Sequence, residues 1–341
     1  MIGKSKSILF ILLGGLLVAL VLNISLGSVI IPFKQVLAHL LGGNTEKVTW
    51  DIILSDFRYP KAITAVTAGS AIAVSGLLMQ TLFRNPLAGP FVLGISNGAS
   101  LGVALLLMAG HVFFAQLATT GNWSIIVAAI TGSALVLTLV LVVSSKLRDN
   151  VSLLIVGLMV GSATGAVVSV LQHFSSAENI QTFLIWTFGS LSGATWSQLA
   201  YLVPLTLIGL FLAYFSQKSL NAFLLGEDYA RSLGVNIKRQ RIILIITTTL
   251  LAGGTTAFCG PIAFIGIAIP HLARGLFKTS NHGILIPSVI LIGAICLLLC
   301  DAVAQLPGSD KSLPLNAVTS LVGSPVVIWI VLKARGMKNA F

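Results

Sequence analysis

Eight stretches of this chain, between 21 and 61 residues long, contain no Asp, Glu, Lys or Arg. They cover residues 8–33, 62–83, 85–145, 150–177, 179–217, 242–273, 279–300 and 312–332. A helix of about 20 apolar residues crosses the roughly 30 Å hydrocarbon core of a bilayer. A water-soluble chain carries about a quarter charged residues, whereas this chain of 341 residues has 9%. Because the stretches also lack the alternating pattern of a membrane barrel, they predict an all-α membrane protein.

The charge-free stretches divide into ten predicted transmembrane helices. These spans lie near 8–28, 61–82, 92–110, 123–144, 150–172, 197–216, 241–258, 261–276, 284–303 and 314–333. The stretch 242–273 has a second interpretation, as one long tilted helix. With an internal N-terminus, ten spans put 15 of the 20 cations on the cytoplasmic side, whereas the single long helix leaves 11 there. Because Lys and Arg concentrate in cytoplasmic loops, we predict one transmembrane domain, residues 1–341, with ten spans and both termini in the cytoplasm.

Two further stretches have the composition of helices that lie along a membrane surface. Residues 33–43 form an apolar patch that contains Lys34 and His39, and residues 178–195 contain Trp186 and a glycine-rich turn. Both stretches fall on the side opposite the termini. We therefore expect a short helix in each, at the level of the lipid headgroups.

Few residues inside the predicted spans have the arrangement that catalysis or metal binding needs. Gly94-Ile95-Ser96-Asn97-Gly98 matches the nucleophile elbow of hydrolases, but the strand that precedes such a serine cannot form here. An intramembrane serine protease, which needs no strand, remains an alternative. The histidines are isolated and the three cysteines lie in apolar stretches. We therefore expect no metal site, because such a site needs several ligands at matched spacing, and no cofactor.

Small residues recur every fourth position in the predicted fifth span, at Gly157, Gly161 and Gly165. Such stripes let helix backbones approach closely, so tight helix packing is one interpretation. The other is that this span, with Ser162 and Thr164 beside the glycines, lines a pathway whose wall is weakly polar and uncharged.

The source of energy is absent from the sequence. No acidic or basic residue lies near the middle of a predicted span, although carriers driven by ions or protons use intramembrane ionisable groups. The chain also has no G-x-x-x-x-G-K-[ST] phosphate loop. Uphill transport would therefore need a separate subunit. An ion-coupled secondary carrier is the alternative from another class.

The long polar loop 217–240, on the cytoplasmic side, contains a segment suited to contact such a subunit. Residues 220–235 predict one short helix bounded by glycines, and Arg231 near its end suits the helix dipole. Its apolar face would consist of Leu224, Leu225, Ala230 and Leu233. The helix is either a solvated connector or a knob that docks into a cytosolic partner.

Three blocks of residues resemble the FecCD family, the permeases of type II ABC importers for ferric siderophores, haem and vitamin B12. The blocks are residues 58–99, with Arg58-Tyr59-Pro60-Lys61 and Arg84-Asn85-Pro86-Leu87-Ala88-Gly89-Pro90; residues 220–235; and Gly260-Pro261-Ile262-Ala263-Phe264-Ile265-Gly266 with Pro270-His271, followed by Asp301, Leu313-Pro314 and Gly323-Ser324-Pro325. The resemblance extends from about residue 8 to residue 335.

The resemblance implies the type II ABC importer permease fold and its partners. Two copies of a ten-helix subunit, a homodimer or a pair of homologous permeases, would surround a central pathway. Two cytosolic ABC ATPase subunits would bind below, and a periplasmic or lipoprotein substrate-binding protein would dock from outside. The implied location is the bacterial cytoplasmic (inner) membrane, as a multi-pass protein in contact with lipid and not with nucleic acid.

The resemblance also assigns roles to residues of this chain. The ATPase groove would receive Gly226, Glu227, Asp228, Ala230, Arg231, Leu233 and Gly234. The cytoplasmic gate would contain Asn85, Leu87, Asn150 and Val151, and the cations that face the binding protein would be Arg58 and Lys61. Three positions depart from the family pattern: Lys61 replaces an arginine, Gln305 replaces a cation, and Asn316 replaces the glycine two residues after a proline.

These observations predict a transport subunit and not an enzyme. ATP-driven closure of the partner subunits would move the coupling helices and switch the paired permeases between inward-open and outward-open states. The expected cargo is an iron chelate, a siderophore or haem. Vitamin B12 is the alternative, because residues 323–329 are similar to the ending of vitamin B12 permeases.

Overall fold

The computed structural model describes residues 2–113, 122–144, 150–309 and 311–338, and within these ranges every regular element is helical. The α-helices are α1 Ile2–Ser25, α2 Phe33–Leu40, α3 Val48–Ile52, α4 Tyr59–Leu82, α5 Ile95–Phe113, α6 Asn122–Ser144, α7 Asn150–His173, α8 Ala177–Thr187, α9 Trp196–Phe215, α10 Gln217–Leu224, α11 Glu227–Ser232, α12 Ile237–Thr248, α13 Gly254–Cys259, α14 Ile265–Phe277, α15 His282–Ala304 and α16 Leu315–Lys338. Two π-helical segments, Ile53–Arg58 and Thr249–Gly253, join α3 to α4 and α12 to α13, and a 3-10 helix spans Pro90–Leu93. The all-α class is confirmed.

Seven helices of the described chain are long and apolar enough to cross a membrane. They are Ser5–Ser25, Val48–Leu82, Asn122–Val143, Val151–His173, Trp196–Phe215, Ile237–Cys259 and His282–Ala304. Three shorter apolar helices, Ile95–Ala109, Ile265–Phe277 and Leu315–Ile328, lie at the other predicted spans. The number of ten crossings stays a prediction.

The stretch 242–273 contains two helices separated by a short break. The backbone of Gly260 has a φ of 72°, and Phe264 has a φ of 65°, in the left-handed region that non-glycine residues rarely adopt. Pro261 adds a residue without a backbone N–H. An α-helix cannot continue through such backbone angles, so the two-helix interpretation matches this part of the chain.

The chain divides into two compact units. The first unit comprises Met1–Val74, Ser190–Pro204 and Ile262–Phe341. In this unit α15 packs against α1, α14 and α16. Helix α4 meets α15 at Gly69 and Gly293, where an added Cβ on either glycine would collide with the backbone of the other. This contact holds two helix backbones together more closely than larger residues allow.

The second unit comprises Ser75–Gly189 and Leu205–Pro261. Its central helix α5 packs on α6 and α7. A Cβ on Gly98 would lie 2.7 Å from the backbone oxygen of Gly132, and a Cβ on Gly102 would collide with Ala128. Gly98 and Gly102 therefore form a packing surface on α5, and an apolar core that includes Ala99, Val103, Ala129 and Phe183 lies beside it.

Short helices also form in both stretches that the sequence predicts to lie along the membrane. The first is α2, whose last residue Leu40 is followed by a turn at residues 41–42. The second is α8, where Ser176 accepts a hydrogen bond from the backbone N–H of Asn179, the N-cap that such a helix start favours. Their depth in the bilayer stays a prediction.

Candidate functional site

The stretch 220–235, which contains the predicted coupling segment 226–234, belongs to two short helices and not to one. Gly226 separates α10 from α11 with φ 111° and ψ 157°, a combination that is essentially restricted to glycine. Gly234 follows α11 with a φ of 84°. The expectation of a single helix over residues 220–235 was wrong, because the backbone of Gly226 separates α11 from α10.

Large apolar side chains are exposed on this segment and directly before it. Leu225, Tyr229 and Leu233 expose 63%, 52% and 59% of their surface. Ala230, expected on the same face, is completely buried and packs α11 against the protein. Tyr229, and not Ala230, therefore lies on the exposed apolar face with Leu225 and Leu233.

The charged residues of the segment differ in their surroundings. Glu227 accepts a hydrogen bond from Arg241 in α12, with 3.1 Å between Oε1 and Nη2, and the Arg241 side chain is only 7% exposed. Asp228 and Arg231 form a 3.4 Å pair in which the side chains are 97% and 68% exposed, so its contribution to stability is small. Glu227 thus connects α11 to the long helix that follows. Sequence reasoning missed Arg241, which is ten residues beyond the segment's last charged position.

The predicted gate residues have different environments. Asn85 Oδ1 accepts the backbone N–H of Leu87 at 2.9 Å and closes a turn, and the Leu87 side chain is 42% exposed. Arg84, just before this turn, has a φ of 48°. Val151 is 65% exposed at the start of α7, while the side chain of Asn150 lies outside the described residues. A joint gating role of these residues stays a prediction.

The glycine stripe of α7 has two different parts. A Cβ on Gly157 would collide with the backbone oxygen of Val92, and a Cβ on Gly161 would lie 2.7 Å from Asn97 Nδ2. The same Asn97 amide donates to the backbone oxygen of Gly161 at 2.8 Å. An added Cβ on Gly165 would meet nothing within 4 Å. The first two glycines therefore serve packing, and the third lies in open space.

The hydroxyl groups of α7 are hydrogen-bonded within the helix. Ser162 donates to the backbone oxygen of Leu158 at 3.0 Å, and Thr164 donates to that of Val160 at 2.9 Å. Ser162 is exposed in this chain and Thr164 is half-buried. Ser169 and the terminal His173 are also exposed, and the other large exposed side chains of α7 are apolar: Val151, Ile155, Leu158, Met159, Val167 and Val170. This surface is suitable for a pathway wall or for contact with another chain.

A buried polar cluster lies at the end of the first unit where α1 and α15 finish and α4 begins. Asp301 Oδ1 lies 3.2 Å from Lys61 Nζ. Asp301 Oδ2 accepts hydrogen bonds from Asn23 Nδ2 and Gln305 Nε2, both at 2.8 Å. The Lys61 and Asp301 side chains are 11% and 5% exposed, so each charge depends on its partner. We call Asn23, Lys61, Asp301 and Gln305 the charge clasp.

Arg58 lies one helical turn before Lys61 and is also buried, with 7% of its surface exposed. Its guanidinium donates to the backbone oxygens of Ile24, at 3.2 Å, and Val29, at 2.9 Å. A Cβ on Gly27 would collide with this guanidinium. Arg58 therefore holds the end of α1, where a cation complements the helix dipole. The docking role expected for Arg58 and Lys61 stays a prediction, and both charges already have partners within the chain.

Asn316, a departure from the family pattern, has a structural role. Its side-chain oxygen accepts the backbone N–H of Ala263 at 3.0 Å. The next residue, Phe264, forms a tight turn in which the N–H of Ile265 donates to the oxygen of Ala263 at 2.8 Å. Gly323 makes room for this turn, because a Cβ there would collide with Phe264. Asn316 thus stabilises the break between α13 and α14.

The described residues contain no group of three or more His, Cys, Asp or Glu side chains that could hold a metal ion. Cys259 and Cys300 are buried and Cys296 is half-buried, all as free thiols.

An apolar cavity of about 330 Å³ lies between α5 and α6, lined by leucines with Val127 and Thr131. Ser96 lies in the first turn of α5, after a 3-10 helix. The described residues thus contain apolar helices long enough to cross a membrane, a helix surface without Asp, Glu, Lys or Arg, and an exposed helical segment.

These features define the class as a membrane-embedded transport permease. A profile of the FecCD transport family matches residues 15–333. The hemin transport system permease HmuU of Yersinia pestis is 34% identical over 334 residues, which cover 96% of this chain and 97% of that protein. The vitamin B12 import system permease BtuC of Salmonella paratyphi A is 36% identical over 295 residues, 86% of each chain.

The fold agrees with these relatives. A solved structure of a metal-chelate type ABC transporter in an inward-facing conformation matches with a TM-score of 0.84 at 28% identity, covering 96% of this chain and 99% of that one. The chain belongs to the FecCD transport family. It is the permease of a type II ABC importer, a transport subunit and not an enzyme.

Proposed function

We propose that this chain is the membrane-spanning subunit of an ATP-driven importer that carries an iron chelate, a siderophore or haem, across the bacterial inner membrane. The observation that carries this proposal is the family match over residues 15–333, together with similarity to a hemin permease over nearly the whole chain. Vitamin B12 is the second candidate cargo, because a vitamin B12 permease is equally similar.

The proposed assembly contains two copies of the chain, two ATPase subunits and a substrate-binding protein. Residues 226–234 would dock in a groove of the ATPase, since Leu225, Tyr229 and Leu233 are exposed apolar side chains among the described residues. Aromatic residues are enriched at the centre of protein interfaces. The loop 217–240 would then lie in the cytoplasm, as the distribution of Lys and Arg predicts.

The proposed pathway follows the exposed surface of α7, which carries Ser162 but no charge. The gate at its inner end would contain Asn85 and Leu87 with Asn150 and Val151. A wall without fixed charges has no group that binds a bulky chelate tightly. Selectivity would therefore reside mainly in the substrate-binding protein.

Replacement of Glu227 tests the coupling role, with Glu178 in α8 as the matched control. Glu227→Gln weakens the link to buried Arg241 and should uncouple ATP hydrolysis from transport, whereas Glu178→Gln changes an exposed carboxylate outside the segment and should not. The measurement is ATP-dependent uptake of haem, a ferric siderophore and cobalamin into proteoliposomes that contain the chain with its ATPase subunits and its substrate-binding protein. Equal uptake by both variants contradicts the coupling role. Accumulation by the chain alone under an ion gradient indicates a secondary carrier.

A further inference from the structure

The end of α4 is closed by a residue that is unusual at its position. The backbone N–H of Arg84 donates to the oxygen of Thr81 at 3.2 Å, and the N–H of Asn85 donates to that of Gln80 at 3.1 Å. These two hydrogen bonds form the Schellman motif, which needs a left-handed residue, usually glycine and sometimes asparagine. Here that residue is Arg84, with a φ of 48°. A residue with a Cβ is less stable in this conformation than glycine is.

The backbone conformation of Arg84 sets the position of the turn that follows it. The side-chain oxygen of Asn85 accepts the N–H of Leu87 at 2.9 Å, and its backbone oxygen accepts the N–H of Ala88 at 3.1 Å. Ala88 is buried, whereas Leu87 is exposed. We call residues 85–87 the gate turn, after the role predicted for Asn85 and Leu87. Because its hydrogen bonds hold the gate turn together, a change in the backbone angles of Arg84 would rotate the turn relative to α4.

The side chain of Arg84 reaches the start of the predicted coupling segment. A Cβ added to Gly226 would lie 3.7 Å from Arg84 Nη1, an ordinary van der Waals distance. The next residue of the segment, Glu227, is paired with Arg241, with 3.1 Å between Oε1 and Nη2. The guanidinium of Arg84 therefore lies beside the backbone at Gly226, where α11 begins.

Two unusual backbone conformations meet at this contact. Gly226 has φ 111° and ψ 157°, a combination that is essentially restricted to glycine, and Arg84 is left-handed. Strained backbone persists only where the surrounding structure enforces it, and such residues concentrate at functional sites and switch regions. A glycine at position 84 would fit this backbone with less strain. What the arginine adds is the side chain that lies beside Gly226.

We propose that Arg84 is a positioning residue for transport, which transmits a displacement of the coupling segment to the gate turn. This inference depends on the proposed function, because it requires that residues 226–234 move with the ATPase. A displaced Gly226 would push or release the Arg84 side chain and change the backbone angles at position 84. The strain of the left-handed conformation brings its free energy closer to that of the alternatives, so a small displacement can shift the population between two arrangements of the turn.

The test replaces Arg84 by asparagine, which tolerates the left-handed backbone but lacks the guanidinium. The matched control is Lys278→Asn, because Lys278 is an exposed cation that ends α14 with the same φ of 48°. Both changes remove one cation from one left-handed position. The measurement is uptake of haem, a ferric siderophore or cobalamin, whichever the wild type carries, per ATP hydrolysed in proteoliposomes with the ATPase subunits and the binding protein. Arg84→Asn should lower this ratio about fivefold or more, Lys278→Asn should leave it unchanged, and Arg84→Lys should restore most of it.

Hydrogen exchange separates a positioning role from a structural one. The N–H groups of Leu87 and Ala88 are hydrogen-bonded to Asn85, so their exchange reports whether the gate turn is formed. Trapping the ATPase subunits with ATP and vanadate should change this exchange in the wild-type transporter. In Arg84→Asn the response to nucleotide should be lost, while the thermal unfolding temperature in detergent should not fall, because asparagine suits the backbone at this position.

Several results would overturn the inference alone. Wild-type transport per ATP by Arg84→Asn, or a gate turn that responds to nucleotide equally in this variant and the wild type, would show that the guanidinium transmits nothing. So would a wild-type gate turn that does not respond to nucleotide. Equal losses in Arg84→Asn and Lys278→Asn would instead show a general need for exposed cations, such as binding of anionic lipid headgroups.

Two further arms keep the test decisive. If Arg84→Asn does not reach the membrane, Arg84→Gly, which fits the left-handed backbone, replaces it in the same assays. If the wild-type transporter shows no ATP-dependent uptake with its ATPase subunits and binding protein, the proposed function fails as well.

Discussion

Removal of one charge from the charge clasp should destabilise the protein far more than removal of both. The variants are Lys61→Met, Asp301→Leu and the double replacement. Both side chains are almost completely buried, at 11% and 5% exposure. The pair therefore behaves as a buried ion pair whose members are costly to separate, and solvent screening does little to reduce its strength.

The contacts of Asp301 set the expected magnitudes. Lys61→Met leaves a buried carboxylate with two amide donors, so we expect a loss of about 3 kcal/mol, at the lower end of the 3–5 kcal/mol range for broken buried pairs. Asp301→Leu leaves the ammonium group without its acceptor and also removes the acceptor of Gln305, for a loss of about 4–5 kcal/mol. Asn23 keeps a second hydrogen bond, to the backbone oxygen of Leu298 at 3.0 Å. The double variant should lose only about 1–2 kcal/mol, for the amides that lose their acceptor.

The assay is reversible unfolding in mixed micelles as the SDS fraction increases, followed by circular dichroism. A double-mutant cycle should give a coupling free energy of about 5–7 kcal/mol, the sum of the two single losses less the loss in the double variant. The exposed pair Asp228 and Arg231 serves as the control, and its cycle should show no measurable coupling. If the losses of unfolding free energy in the two single variants simply add in the double variant, Lys61 and Asp301 do not form a buried ion pair.

Three further predictions concern backbone positions. Gly132→Ala should destabilise the protein by about 2 kcal/mol or more, because its Cβ collides with α5, whereas Gly165→Ala, in open space, should not; thermal unfolding in detergent compares them. Asn316→Ala should cost about 1–3 kcal/mol in the same assay, since it removes the acceptor of a backbone N–H, and wild-type stability would contradict that hydrogen bond. Gly226→Ala introduces a backbone strain of about 1–3 kcal/mol at the start of α11. The protein should still reach the membrane, but ATP hydrolysis should no longer drive uptake, which paired ATPase and uptake assays measure.

The sequence of the loop 217–240 predicted a helix in this region but not that two helices form there. Glycines were expected at the boundaries of one helix, whereas the backbone of Gly226, at φ 111°, separates two helices, α10 and α11. Arg241 and Asp301 carried no local signal of their partners, because each pairs with a residue distant in sequence: Glu227 and Lys61 respectively. A pattern along the chain does not contain such pairings.

The length of the charge-free stretches by itself determined that this chain is an α-helical membrane protein, because uncompensated backbone and charged groups are excluded from hydrocarbon. The absence of charge inside the spans and of a phosphate loop likewise indicated a separate source of energy. Only the tertiary structure decided which polar side chains are available to a partner. Arg58 and Lys61 look like free surface cations in the sequence, but folding brings them to the end of α1 and to Asp301. Burial makes those pairings necessary, since a charge removed from water must find a partner inside the protein.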